Sequence, residues 1–218
     1  MAPNYKLIYF DNTGKAEAIR MIFAYAGIPF QDERILRAEW DKFKSTTPLG
    51  QLPVLEIDGR KMTQSTPISR YLANLANLAG KTNEENYEID AAAEILYDLL
   101  RGAYESSHLE LNEERRNIMR IKFESMCSMA LPHLETNAKK NGGYIAIKSV
   151  SWADFVFITA YENIRSLLNG KDIFASYPNL LKVKENVMKI PSIKNYIKKR
   201  PRISATRPWF VYDLRDEL

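Results

Sequence analysis

Cysteine and histidine, the side chains most often recruited for redox, nucleophilic and metal chemistry, are nearly missing: Cys127, His108 and His133 are the full complement in 218 residues. One cysteine cannot close an internal disulfide or build a thiolate cluster, and with only two histidines beside it a protein-bound metal is not expected. Both histidines read as ordinary helix residues. Among the carboxylates, Asp154 stands three residues after Ser151, the spacing of a helix N-cap and its reciprocal partner, and Val150 and Phe155 are placed to form the hydrophobic staple. Asp154 therefore reads as a cap and not as a general acid. The basic run Lys198-Lys199-Arg200-Pro201-Arg202 lacks aromatics suited to stacking bases and reads as a solvated helix end, so no nucleic-acid partner is expected.

A hydrophobic fraction of 45%, a charged fraction of 27% and a net charge of +4 describe an ordinary globular chain. The first ten residues lack the basic-then-apolar pattern of a secretory leader, and no apolar run is long enough to cross a bilayer. The terminal Arg215-Asp216-Glu217-Leu218 resembles an endoplasmic-reticulum retention signal. Such a signal acts only on a protein that has entered the lumen, so the ending reads as chance and a cytoplasmic location is expected, with no membrane partner.

The elements that must position any site change character near residue 80. Residues 6–10 form a short β-rich run, followed by a helical pattern carrying Ala18, Ile19, Ile22, Phe23 and Ala26 on one face and stopped by Gly27. Residues 30–36 read as a second strand and 53–57 as a buried one. Asp58-Gly59 is a hairpin turn that pairs 61–64 back, and a helix with Ile68, Tyr71, Leu72 and Leu75 follows. The order βαβ then ββα predicts a mixed four-stranded sheet with helices on its faces, the thioredoxin-like arrangement. A C-x-x-C pair is missing after the first strand, where Tyr9, Phe10 and Asp11 stand, so disulfide exchange by protein thiols is excluded. Beyond a linker at 79–84 every pattern is helical: 88–106, 113–140 with a kink expected at Pro132, 152–168, 180–189 and 193–199. The expected organisation is an α/β thioredoxin-like domain over 1–80 and an all-helical domain over 85–218, with an extension from about 203.

That layout, together with the segments 5–10, 44–59 and Gln64-Ser65 with Arg70-Tyr71-Leu72 after it, resembles the cytosolic glutathione transferases, and within them the sigma class. The resemblance runs to about Pro201. It implies a homodimeric detoxifying enzyme with glutathione as co-substrate and no metal. Tyr9 matches the catalytic tyrosine, whose phenol stabilises the glutathione thiolate by a hydrogen bond; from residue type alone it would be a core strand aromatic. Gln51, Leu52 and Pro53 match the segment that holds the cysteinyl backbone. There the bond before the proline is cis, and Leu52 offers its N–H and C=O like an unpaired strand edge. Gln64 and Ser65 match the γ-glutamyl carboxylate site, and Ser65 falls at a helix N-terminus, where free N–H groups favour an anion. Trp40 and Lys44 face the glycyl end, unless Lys44 is merely solvated. Asp98 either reaches across the dimer to the partner's ligand or is a plain helix-surface carboxylate.

Three departures from the family pattern stand out. Lys15 occupies a place where many relatives carry an arginine that orients the tyrosine or thiolate; lysine keeps the charge and loses the planar fork. Gln51 stands where some relatives have lysine. Glu105 stands where the vertebrate prostaglandin-isomerising member has a tryptophan, beside Phe10, Arg101, Tyr104 and His108 in the expected electrophile pocket. That exchange argues against prostaglandin synthesis, and the run Asn141–Ala146 looks closer to invertebrate members. Past Pro201 the apolar Trp209, Phe210, Val211 and Tyr212 suggest a strap over the helical domain or a docking segment. The leading function is conjugation of glutathione to small hydrophobic electrophiles, and the same site suits reduction of lipid hydroperoxides. The competing readings are a glutathione-dependent isomerase of the prostaglandin D synthase type and a non-catalytic ligand carrier or crystallin-like protein.

Overall fold

The computed structural model describes residues 2–107, 112–202 and 212–217. Strand β1 (Tyr5–Phe10) lies inside a four-stranded sheet of order β2-β1-β3-β4. It runs parallel to β2 (Gln31–Ile35) and antiparallel to β3 (Val54–Ile57), which pairs with β4 (Arg60–Thr63) across Asp58-Gly59. Both turn residues have positive φ, 49° and 84°, as a tight hairpin of this hand requires. The crossover between β1 and β2 is helix α1 (Glu17–Ala26), ended by Gly27 in the left-handed conformation. This is the mixed thioredoxin-like sheet that the strand and helix order predicts.

Burial follows the alternation of β1. Leu7 and Tyr9 face the main core with α1 and α3 (Ser65–Leu75), while Ile8 joins Val54 and Ile35 on the opposite face, covered by Phe43 and Leu52. Phe43 lies in a short helix, α2 (Trp40–Phe43), flanked by single turns of 3-10 helix. Of the four apolar residues at helical spacing in α3, Ile68 and Leu72 are buried. Tyr71 and Leu75 lie on the open side.

The remaining helices are α4 (Asn83–Ser106), α5 (Glu113–Lys140), α6 (Trp152–Leu167), α7 (Pro178–Met188) and α8 (Pro191–Lys199). Helix α4 starts five residues before the apolar periodicity suggests. The Thr82 hydroxyl accepts from the Glu85 amide at 3.2 Å, and Glu84 and Glu85 suit the positive end of the helix. Helix α5 continues through Pro132. Helix α6 is buried along nearly its whole length and packs on α4, α1 and α7. Its start is the capping box read from the sequence: Asp154 Oδ2 accepts from the Ser151 amide at 2.8 Å and its hydroxyl at 3.0 Å, and Oδ1 accepts from the Ile145 amide at 2.8 Å. Burial pushes the Asp154 carboxyl up to about 6, against hydrogen bonds that pull it down.

The basic run at the end of α8 differs from the solvated helix end expected. Lys198 and Lys199 are exposed, but Arg200 is buried and paired with Glu17 of α1 (2.6 Å) and Glu162 of α6, with Asp213 at 3.2 Å. Position on the α8 terminus decides this, because the turn after Lys199 points back into the junction of α1 and α6. Residues 212–217 lie over the helical part. Ser166 donates to the Tyr212 carbonyl, the Tyr212 ring covers the Arg165 guanidinium at 3.9 Å, and Glu217 pairs with Arg165 and Lys184. Trp209, Phe210 and Val211 lie outside the described residues. Among the described residues no helix is long and apolar enough to cross a membrane.

Candidate active site

The chain leaves β1 at Phe10 and must turn through residues 11–16 before α1 begins. This loop has its own anchor. Arg20, fully buried in α1, donates from Nη1 to the Asn12 carbonyl at 2.8 Å and pairs with Glu17 at 3.1 Å, while its Nε reaches Asp32 of β2 at 3.0 Å. Thr13 donates from its hydroxyl to Asn163 of α6 at 2.9 Å. Held at Asn12 and Thr13, the loop directs the Lys15 amide at the Tyr9 side chain, and that N–H donates to Tyr9 Oη at 3.1 Å. A phenol that accepts at its oxygen is polarised and becomes a stronger donor through its proton. The Tyr9 ring is buried edge-on against Phe10 at 5.7 Å, with the Arg20 guanidinium 5.9 Å from its centroid.

The support for Tyr9 thus comes from the main chain of residue 15, a contact for which lysine and arginine serve equally. The Lys15 ammonium points elsewhere, 5.7 Å above the ring of Tyr97 in α4. Gly14 is needed for the close approach: it has φ +42°, and a Cβ there would lie 2.6 Å from Tyr9 Oη.

Tyr9 opens onto a cleft of about 550 Å³ between the sheet domain and helices α4 and α6. Of the residues singled out from the sequence, Tyr9, Phe10, Lys15, Trp40, Gln51, Leu52, Arg101 and Tyr104 line it. Pro53 is buried, and the Leu52–Pro53 peptide is cis. Lys44 is exposed beside the cleft, its Cε 3.2 Å from where a Cβ on the lining residue Gly50 would stand. A second recess of about 420 Å³ brings Gln64, Ser65 and Asp98 together with Lys15 and Arg101. Here Ser65 is the first residue of α3, and Gln64 takes the N-cap place with φ 72° and ψ 119°, a conformation that L-residues rarely adopt. Asp98 is exposed in the single chain and pairs with Arg101 one turn on, at 2.7 Å.

Of the expected electrophile pocket, Tyr104 lines the cleft, while Glu105 is exposed and not among the lining residues; one step along a helix turns the side chain by about 100°. His108 lies outside the described residues. Sequence reasoning missed Asn12, Gly14, Arg37, Leu100, Asn163, Ser166 and Leu167, which also line the cleft. The turn after β1 was a signal for Asn12 and Gly14. Nothing local marks Asn163, Ser166 or Leu167, which arrive from α6 only through tertiary packing.

Two family models match the chain, the N-terminal domain of glutathione S-transferase over residues 5–74 and its C-terminal domain over 97–200. Human hematopoietic prostaglandin D synthase is 36% identical over 203 residues, covering 92% of this chain and 98% of that protein. A glutathione S-transferase of Anopheles gambiae is 34% identical over 200 residues, covering 91% and 98%. The solved structure of prostaglandin synthase D of Nilaparvata lugens matches with a TM-score of 0.83 at 36% identity, covering 91% of this chain and 99% of that one.

Proposed function

Because the chain belongs to the glutathione S-transferase family, which uses glutathione as co-substrate, we propose that Tyr9 activates the glutathione thiol in this cleft for attack on small electrophiles. The observation that carries this reading is the Lys15 amide donating to Tyr9 Oη at 3.1 Å at the mouth of the cleft. A free thiol has a pKa of roughly 8.5, so only a few per cent is thiolate near neutral pH. A hydrogen bond to the charged sulfur stabilises the anion by about 1.5–3 kcal/mol, one to two pKa units. The thiolate then forms the sulfur–carbon bond, and the leaving group departs with its electron pair.

In this reading the cis peptide at Pro53 and the backbone of Leu52, with Gln51, hold the cysteinyl unit. Gln64, Ser65 and the N-terminus of α3 hold the γ-glutamyl carboxylate, and Trp40 and Lys44 hold the glycyl end. The sheet domain over 1–80 would supply these groups and the helices over 85–218 the electrophile's contacts. Sigma-class membership, a homodimer in which Asp98 reaches the partner's ligand, and detoxification in the cytoplasm belong to the same proposal. So does hydroperoxide reduction at the same thiolate.

Tyr9→Phe tests it: conjugation at pH 7 is expected to fall about 10–100-fold with little change in KM for glutathione. Equal activity of the variant would remove Tyr9 from the mechanism. A second reading, a glutathione-dependent isomerase, is favoured by the relatives named prostaglandin D synthase. Product formation without consumption of glutathione would select it.

A further inference from the structure

We propose that the electrophile side of this cleft selects substrates that carry a negative charge on a flat apolar body, and that Arg37 is the residue that reads the charge. The inference rests on the transferase reading above and goes beyond it to the class of electrophile.

The charge balance of the cleft is one-sided: among the described residues its lining holds Lys15, Arg37 and Arg101 and no carboxylate. Two of these cations have other business. Lys15 and Arg101 also line the recess next to Ser65, and Arg101 is already paired with Asp98 at 2.7 Å. Among the described residues Arg37 lines the cleft but not the recess, and it makes no ion pair. It follows β2 in the single turn that leads into α2, and its guanidinium lies 5.2 Å from the centroid of the Phe10 ring. Phe10 in turn meets Trp40 edge-on at 5.2 Å.

The result is a cation laid on an aromatic wall that continues toward Tyr9. Attraction to the ring face keeps the planar group in place over the wall and does not neutralise its charge. A ligand whose apolar body rests on Phe10 and Trp40 would bring an acidic substituent to the Arg37 fork, where a carboxylate can take two parallel hydrogen bonds. A neutral ligand of the same shape would gain the aromatic contact only. Arg37 is exposed, so the preference it creates is moderate and weakens with salt.

The test compares a chlorodinitrobenzoate with its methyl ester, which undergo the same aromatic substitution; the ester's higher intrinsic reactivity cancels when the ratio is compared between proteins. The sulfur–carbon bond forms, chlorine leaves as chloride with the bonding pair, and the thiol proton passes to solvent. The readout is the ratio of kcat/KM for the acid to that for the ester, measured in wild type, Arg37→Gln and Arg37→Lys. The ratio is expected to fall about fivefold to tenfold in Arg37→Gln, to be only partly kept in Arg37→Lys, which retains the charge and loses the fork, and to decline in wild type as salt is added. An unchanged ratio in Arg37→Gln would overturn the proposal. So would a rise in KM for glutathione that is the same with both electrophiles, since it would assign Arg37 to the glycyl carboxylate of glutathione. If wild type turns over neither compound, the transferase reading falls and takes this inference with it.

Discussion

Replacing Gly14 with alanine separates backbone strain from displacement of the Tyr9 hydroxyl. Gly14 has φ +42°, and a Cβ on it would stand 2.6 Å from Tyr9 Oη and 2.8 Å from Asn12 Oδ1. Ordinary contact begins at 3.4 Å, so the phenol must retreat by about 0.8 Å, or the loop that carries the Lys15 amide must move instead. Either movement stretches the hydrogen bond at 3.1 Å. A misplacement of about 1 Å at a reacting group costs on the order of 100-fold, so a loss of about 10–100-fold in kcat is expected. The control is Gly27→Ala. Gly27 has φ +64° and nothing within 4 Å of its Cβ position, so alanine there carries the same left-handed penalty, about 1–2 kcal/mol, without touching the site. Initial conjugation rates and melting temperatures of both variants give the comparison. Similar losses of stability with a kcat deficit confined to Gly14→Ala are expected. If both variants kept wild-type kcat, the close approach of residue 14 to the phenol would have no bearing on catalysis.

Asp154→Ala leaves the buried amides of Ile145 and Ser151 without their acceptor. It should destabilise the protein by about 3–5 kcal/mol in urea unfolding, and a loss under about 1 kcal/mol would refute the capping role. Glu17 is buried between two arginines. Burial would raise its carboxyl, but Arg200 and Arg20 outweigh burial and hold it below its ordinary 4.5. Its contribution is therefore fully present above about pH 4.5 and is lost as pH falls through the lower folded value. The stability gap between wild type and Glu17→Gln, about 3 kcal/mol at pH 7, should shrink on acidification below pH 4.5. Glu162 next to it is pushed up by burial and titrates in the opposite sense, so the readout is the difference between the two proteins. A gap independent of pH would show that Glu17 is not held as the charged form.

The fold was legible where a local rule fixed the answer. Asp58-Gly59 dictated a hairpin, Gly27 ended α1, and Ser151 with Asp154 marked the start of α6 within a residue. The start of α4 was less visible, because Thr82 caps a polar first turn that carries no apolar periodicity. Arg200 shows the limit of charge runs. Three neighbouring cations look alike in sequence, and only the direction of the chain after Lys199 decides which is buried against Glu17 and Glu162. In the site, Tyr9, Leu52 and Ser65 sit on elements whose order the sequence reveals. Arg37 reaches the cleft from the turn after β2, and Asn163 and Leu167 from one face of α6; nothing in the sequence shows that these two segments meet. Tyr104 and Glu105 are a related case: which of them faces the cleft at the end of α4 depends on helix rotation, about 100° per residue, which the sequence pattern there does not fix.

Whether Tyr9 lowers the thiol pKa is tested by a spectroscopic titration of glutathione bound to wild type and to Tyr9→Phe, following thiolate absorbance. In wild type the bound thiol is expected to titrate at least one pKa unit below the roughly 8.5 of a free thiol, and in the variant close to that value. Identical titrations in the two proteins, at whatever pH, would contradict it.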